Sequence, residues 1–446
     1  MDALPFHRWQ FAFTVTYHYL FPQLTMGLAL LIFLLKTRSL RGDTVANQTA
    51  RFWSKILALS FVMGVVTGIP MEFQFGTNWS RFSEATGEII GQTLAMEGVF
   101  AFFLESAFLY LLIFQEKRLG PKGHWAVSLM VFFGTWLSGF FIVTTNAFMQ
   151  HPVGFEKIDG IFQLKSLTAL LGNPWAHAQY IHVMIGSTIT GSFVMAGISA
   201  FYLLKDRHHA VARKGLTMGV VMGCLASILA AFPTGDIQAK LVYHHQPVTF
   251  AAMEGHFKTE DGAGLVILGQ PDLEKMQLDN PIVLPKMLSF LTHARWNAPV
   301  TGLADFDRNL WPDNVELLYY SYHIMAGLGT LFILLMVLSL FFLLRKTLHE
   351  KPSLLWMLML AMPLPYIANT TGWMTAELGR QPWVVYNLMR TANAHSLQVS
   401  AGNTLFSLIG FMGLYTLLSM LYFLLLVRII QKGPEATRPA SELGGL

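Results

Sequence analysis

Several side chains able to do chemistry stand where apolar packing does not require them. Glu97 in AMEGVF and Glu105 in FFLESAF lie in one hydrophobic run. Eight residues of helix turn through about 80° and rise about 12 Å, so both carboxylates can face one side of a bundle. Ionisable groups at membrane depth are costly and commonly form relays, so the pair reads as part of a proton path. Ser138 and Asn146, in the next apolar run, offer further polar groups for it. A buried structural pair kept neutral by protonation is the competing reading.

His182 in QYIHVMIGS and Met325 in YYSYHIMAGLG stand near the starts of two later runs. Histidine with methionine is an axial pair for a low-spin haem. Gly186, Ser187, Gly191, Ala326, Gly327 and Gly329 would let a flat macrocycle approach, or would simply allow close helix contact. His18, between Tyr17 and Tyr19, lies past Arg8 at a depth of roughly 15 Å. It suits either a ligand or a helix-packing histidine bonded to a carbonyl. Thr371–Trp383, TGWMTAELGRQPW, sets Glu377, Arg380, Trp373 and Trp383 at the expected end of another run. A salt bridge with interfacial tryptophans explains them, as does a carboxylate that ligates or balances a metal cofactor. Glu72, in GIPMEFQFGTNWS, suits an interface or a site. No Walker-type loop, dinucleotide fingerprint or nucleophile elbow occurs.

The elements that must position these residues are membrane helices. The chain has 446 residues, 53% hydrophobic and 13% charged, with a net charge of +4. Its mean hydropathy is +0.47, and soluble domains carry about 25% charged residues. The expected fold is an all-α polytopic membrane protein, a class that excludes nucleic-acid binding as the main role. Nine spans are expected, at about 10–35, 54–75, 92–114, 125–147, 177–204, 215–235, 318–344, 353–373 and 403–430. The first begins too early and runs too long for a cleavable signal. Cys224 is the single cysteine, so no disulfide frame or Cys-ligated cluster is available.

Basic residues fill alternate loops: Lys36, Arg38, Arg41, Arg51 and Lys55; Lys117, Arg118 and Lys122; Lys205, Arg207, Arg213 and Lys214; Arg345, Lys346 and Lys351. The positive-inside rule puts these loops in the cytoplasm, the N-terminus outside, and the 431–446 tail with Lys432 and Arg438 inside. His18, His182, Met325 and Glu377 then share the outer half. The organisation expected is a membrane part at 1–235, an extracytoplasmic loop at 236–317 and a second membrane part at 318–430. From Asp236 to Glu316 the loop holds eleven acids and six bases, and Trp296, Phe250 and Phe257 give it something to pack. Its length suits a functional cover.

GRQPW (Gly379–Trp383) preceded by GWMTAE resembles the signature of cytochrome bd quinol oxidase subunit I. QFAFTVTYHYLF around His18, GIPMEFQFGTNWS and MEGVFAFFLES resemble that family too, in order along nearly the whole chain. The resemblance implies a low-spin haem b on His182 and Met325, and two high-spin haems, a haem b and a haem d (or a further haem b), on His18 and Glu377. It puts Glu97, Glu105, Ser138 and Asn146 on the proton path, Trp373 between haems, and Arg8 and Arg380 near propionates or the haem cluster. The loop would be the quinol-binding loop in its short form, with Glu254 in FAAMEG at the quinol. Two positions depart from the family pattern: Thr249 replaces a lysine, and His323 an arginine that is often present.

The function so implied is oxidation of quinol and reduction of O2 to water, with proton uptake from the cytoplasm and a proton-motive force formed without pumping. A homologous second membrane subunit, a small single-span subunit, lipids and quinone would be the partners, in a bacterial inner membrane. A haem b electron-transfer subunit that does not reduce oxygen is an alternative, but needs neither His18 nor Glu377. An ion-coupled transporter is a further one, against which the lack of inverted repeats speaks.

Overall fold

The computed structural model describes residues 2–435; Arg438 and the part of the expected 431–446 tail beyond residue 435 lie outside them. Among the described residues, nine helices are long and apolar enough to cross a membrane. In order they are Leu4–Ser39, Thr44–Thr77, Ser80–Phe114, Glu116–Gln150, Leu167–Leu204, His209–His245, Val315–Leu344, Pro352–Arg380 and Ala401–Lys432. Hydropathy finds the apolar centre of each helix, while polar turns extend it at both ends.

Local sequence sets several of the starts. The side chains of Asp43, Asn173, Asn314 and Ser400 accept from the backbone N–H groups of Ala46, Trp175, Leu317 and Asn403, and Pro174 occupies the first turn of its helix. These are ordinary N-caps, which satisfy donors that a helix start leaves unpaired.

Three departures from the expected elements bear on function. Glu97–Phe102 forms a π-helical turn inside the third span. The sixth span does not end at Gly235: it kinks at Phe232, whose backbone is extended (φ −144°, ψ 126°) just ahead of Pro233, and a helix resumes and runs to His245, with Lys240 paired to Asp236 at 2.7 Å. The eighth span breaks between Leu360 and Leu364 and resumes as Leu364–Arg380. Thr371–Arg380 is therefore helical rather than a membrane-edge connection, because the prolines interrupt the helix before this stretch rather than within it.

The first and fifth spans meet backbone to backbone. A Cβ on Gly27 would lie 2.1 Å from the Ser187 carbonyl oxygen, and one on Gly191 would lie 2.8 Å from the Gly27 carbonyl carbon. Gly186 is likewise filled by Asn369, 2.6 Å from where its Cβ would be. These fifth-span glycines serve helix contact, whereas Gly327 and Gly329 of the seventh span face open space. Leu28, Leu31, Ile32, Trp53 and Ile56 centre the core between the first two spans. Phe193, Val220, Met336 and Leu358 centre a second core among spans five to eight.

The long loop is a packed cap. A Pro247–Glu254 helix and an antiparallel hairpin, Leu265–Asp272 with Gln277–Leu284, stand over the seventh span. Phe250 and Phe257 are buried with Val300 and Leu303 against Val315 and Leu318. Trp296, expected to pack inward, is 50% exposed and stacks on Phe290.

Candidate functional site

The two histidines are held alike. His18 Nδ1 lies 3.0 Å from Thr67 Oγ1, across from the second span. His182 Nδ1 lies 3.0 Å from Thr234 Oγ1, just past the kink of the sixth span at Phe232. Neither Nε2 has a hydrogen-bond partner among the described residues, and neither is sealed from access. An imidazole anchored at one nitrogen and accessible at the other can offer that second nitrogen to a ligand. Neutral histidine with one nitrogen anchored and the other open is the donor a haem iron takes.

Met325 reaches from the seventh span to the eighth. A Cβ on Gly372 would come within 2.8 Å of its Sδ, so only glycine leaves the thioether this room. Trp373 follows directly and is half-buried. Thr370 Oγ1, on the same helix, lies 2.5 Å from the Tyr19 hydroxyl, which ties the eighth span to the helix that carries His18.

Glu377 sits on the last turn of the eighth span with both oxygens engaged. Asn146 Nδ2 donates to Oε1 at 2.7 Å, and Arg380 donates to Oε2. Gln179 in turn donates to Asn146 Oδ1 at 2.8 Å. Arg380 is 2% exposed and also donates to the Val384 and Trp383 carbonyls, leaving its Nε without a partner. The pair holds the Glu377 carboxyl in place while its side chain stays 37% accessible, a donor suited to iron. Asn146, expected with Ser138 on the proton path, is bonded to Glu377.

Glu97 and Glu105 both face the fourth span. Ser138 donates to Glu97 Oε1 at 2.7 Å, and Thr135 Oγ1 lies 3.0 Å from Glu105 Oε1. Close approach makes this possible: a Cβ on Gly134 would lie 2.7 Å from Leu104 Cδ2. The π-turn that starts at Glu97 changes the helix rotation between the two carboxylates, and both still meet the same neighbour. Glu72 is exposed on the second span, with no hydrogen bond among the described residues.

The cap brings a second polar group down to the bundle. Glu254 is 2% exposed, and its Oε2 is sealed without a partner, as is the Tyr319 hydroxyl. Burial pushes the Glu254 carboxyl up to about 7, partly offset by the Tyr322 hydroxyl. Thr249 Oγ1 donates to the Gly379 carbonyl at 2.6 Å, fastening the cap helix to the end of the eighth span. His323 lies with Nδ1 2.9 Å from the Tyr319 carbonyl and Nε2 3.2 Å from that of Val266 in the hairpin. Both departures from the family pattern therefore act as cap fasteners. Arg8 is a third: it pairs with Asp313 at 2.8 Å on the surface.

The residues picked out by sequence are thus held separately: His18 by Thr67, His182 by Thr234, Met325 at Gly372, Glu377 by Asn146 and Arg380, Glu97 and Glu105 against the fourth span, and Glu254 beneath the cap. Thr67, Thr234, Thr135, Gln179 and Tyr319 escaped notice. A polar residue in an apolar helix is their only signal, and threonines there usually satisfy themselves on their own backbone.

Comparison with known proteins finds one family along nearly the whole chain. The family model described as cytochrome bd terminal oxidase subunit I matches residues 6–434. The chain is 35% identical over 445 residues to cytochrome bd ubiquinol oxidase subunit 1 of Bacillus subtilis (strain 168), covering 98% of this chain and 95% of the relative. It is 33% identical over 503 residues to cytochrome bd-II ubiquinol oxidase subunit 1 of Escherichia coli (strain K12), covering 98% of each. The solved structure of bd oxidase from Geobacillus thermodenitrificans superimposes with a TM-score of 0.91 at 30% identity, over 97% of this chain and 99% of that one. The chain belongs to the cytochrome bd terminal oxidase subunit I family.

Proposed function

We propose that this chain is the haem-bearing subunit of a terminal quinol oxidase in a bacterial cytoplasmic membrane. The observation that carries the reading is the matched seating of His18 and His182, each anchored at Nδ1 and open at Nε2. His182 and Met325 would hold a low-spin haem b. His18 and Glu377 would hold two high-spin haems, a haem b with a haem d or a further haem b. When bound, haem supplies one-electron redox chemistry and, in its high-spin form, reactivity towards oxygen.

The chain's own residues do the rest. Arg380 and Asn146 fix the Glu377 carboxylate, and Trp373, four residues earlier on the same helix, adds an aromatic surface on that face. Glu254, poised near neutrality under the cap, accepts a proton from a quinol hydroxyl, which is then released outside. Glu105 and Glu97 carry protons from the cytoplasmic side, oriented by Thr135 and Ser138. Quinol protons leaving outside and consumed protons entering from inside build a proton-motive force without pumping. A homologous second membrane subunit and a small single-span one complete the complex.

Pyridine-haem analysis with quinol-dependent oxygen uptake on the purified complex tests this. Haem together with uptake that requires quinol is expected. Haem without oxygen uptake would leave only electron transfer, and absence of haem would overturn the reading.

A further inference from the structure

Each open histidine rests on a Thr–Gly step of a neighbouring helix. Thr67 Oγ1 is 3.0 Å from His18 Nδ1, and a Cβ on Gly68 would lie 2.9 Å from His18 Cε1. Thr234 Oγ1 is 3.0 Å from His182 Nδ1, and a Cβ on Gly235 would lie 3.8 Å from His182 Cε1. The first step belongs to a regular helix and the second follows the kink at Phe232, so one local geometry does not generate both. The Thr190–Gly191 step is used differently: its hydroxyl accepts from Gln23 at 2.6 Å and its glycine meets Gly27.

The hydroxyl proton decides which imidazole nitrogen carries hydrogen. A threonine hydroxyl has one proton and two acceptor sites. Thr67 directs its proton to the carbonyls of Met63 at 2.8 Å and Gly64 at 3.2 Å. Thr234 directs its own to Leu229 at 2.8 Å and Ala230 at 3.4 Å. Turning either proton to the imidazole would leave two oxygens facing each other at 2.8 Å with no hydrogen between them. The hydroxyl oxygen therefore accepts, Nδ1 donates, and Nε2 keeps the lone pair.

We infer that Thr67 and Thr234 are positioning residues for the haem ligands. Each fixes the Nδ1–H tautomer of its histidine, aims Nε2, and strengthens electron donation from the ring. The inference rests on the haem reading above. An Nδ1–H bond to an acceptor makes the ligand more basic, which favours the oxidised metal, so its loss raises the midpoint potential.

The test is a redox titration of the low-spin haem in purified complexes carrying Thr234→Val and Thr234→Ser, with haem content measured in parallel. Valine is expected to shift the midpoint upward at unchanged haem content, and serine to restore the wild-type value. The same pair at Thr67, read on the high-spin signal, should behave alike. An unshifted midpoint in Thr234→Val overturns the inference, and so does a shift that serine fails to restore, since that marks packing alone. If the valine variant does not assemble, Thr234→Cys, a weaker acceptor of similar size, is titrated with the same expected direction and the same overturning result. A wild-type complex without a low-spin haem would instead overturn the haem reading itself.

Discussion

Asn146 donates its side-chain amide to Glu377 Oε1 at 2.7 Å, joining the fourth span to the last turn of the eighth. Arg380 takes the other oxygen, and Gln179 holds Asn146 from the fifth span. A carboxylate so fixed from three helices has its orientation set before any cofactor arrives. Charge-assisted bonds of this kind are among the stronger ones in proteins.

Replacing Asn146 with leucine removes one of those bonds and leaves Gln179 without its acceptor. A cost of about 1–3 kcal/mol is expected for the polar groups left unpaired. The carbon-monoxide difference spectrum of the high-spin haems should change while the low-spin band stays. Thermal unfolding of the purified complex, followed with that spectrum, checks both expectations.

Gly372→Ala places a methyl group where Met325 Sδ needs room, 2.8 Å away. The thioether must move off, so most of the low-spin reduced band should be lost while the carbon-monoxide-reactive signal persists. An intact low-spin band would show that Met325 tolerates displacement and is not a ligand.

Glu105→Gln keeps the shape of the side chain against Thr135 but removes its proton-carrying capacity. Loss of a positioned acid–base group costs about 10²–10⁴-fold in rate. Quinol-dependent oxygen uptake should fall towards that range with haem content unchanged. Thr135→Val, which removes only the orienting hydroxyl, should cost less.

Glu254 carries a pH dependence whose sign follows from its burial. Its carboxyl is raised from 4.5 to about 7, so the folded protein binds a proton that the unfolded chain has already released. Stability from this group is therefore full at low pH, declines as pH rises through that window, and is lowest once Glu254 is ionised. Glu254→Gln should unfold at a higher temperature than wild type above pH ~7, with the difference closing below pH ~4. In turnover, wild type should gain quinol affinity as pH rises through about 7, and the glutamine variant should lose that dependence. KM for quinol measured across this range decides it.

Much of the site was legible in the sequence because charge and imidazole are conspicuous among apolar residues. His18, His182, Glu97 and Glu105 stood out for that reason, and hydropathy located all nine helices. Helix ends were less legible. An apolar window stops where a polar turn begins, so Glu377 read as a membrane-edge residue although it lies on the helix. The bond from Asn146 to Glu377 links two spans far apart in sequence, which no local pattern shows. The π-turn at Glu97–Phe102 and the kink at Phe232 have no hydropathy signature. Without the second of them, Thr234 could not be recognised as the partner of His182.

The most direct test of the haem assignment is the reduced-minus-oxidised spectrum, with and without carbon monoxide, of the wild-type complex and of Met325→Leu. Wild type should show a low-spin band and a separate carbon-monoxide-reactive high-spin signal, and the variant should keep only the second. An unchanged low-spin band in Met325→Leu, or a wild-type complex without haem, would contradict it.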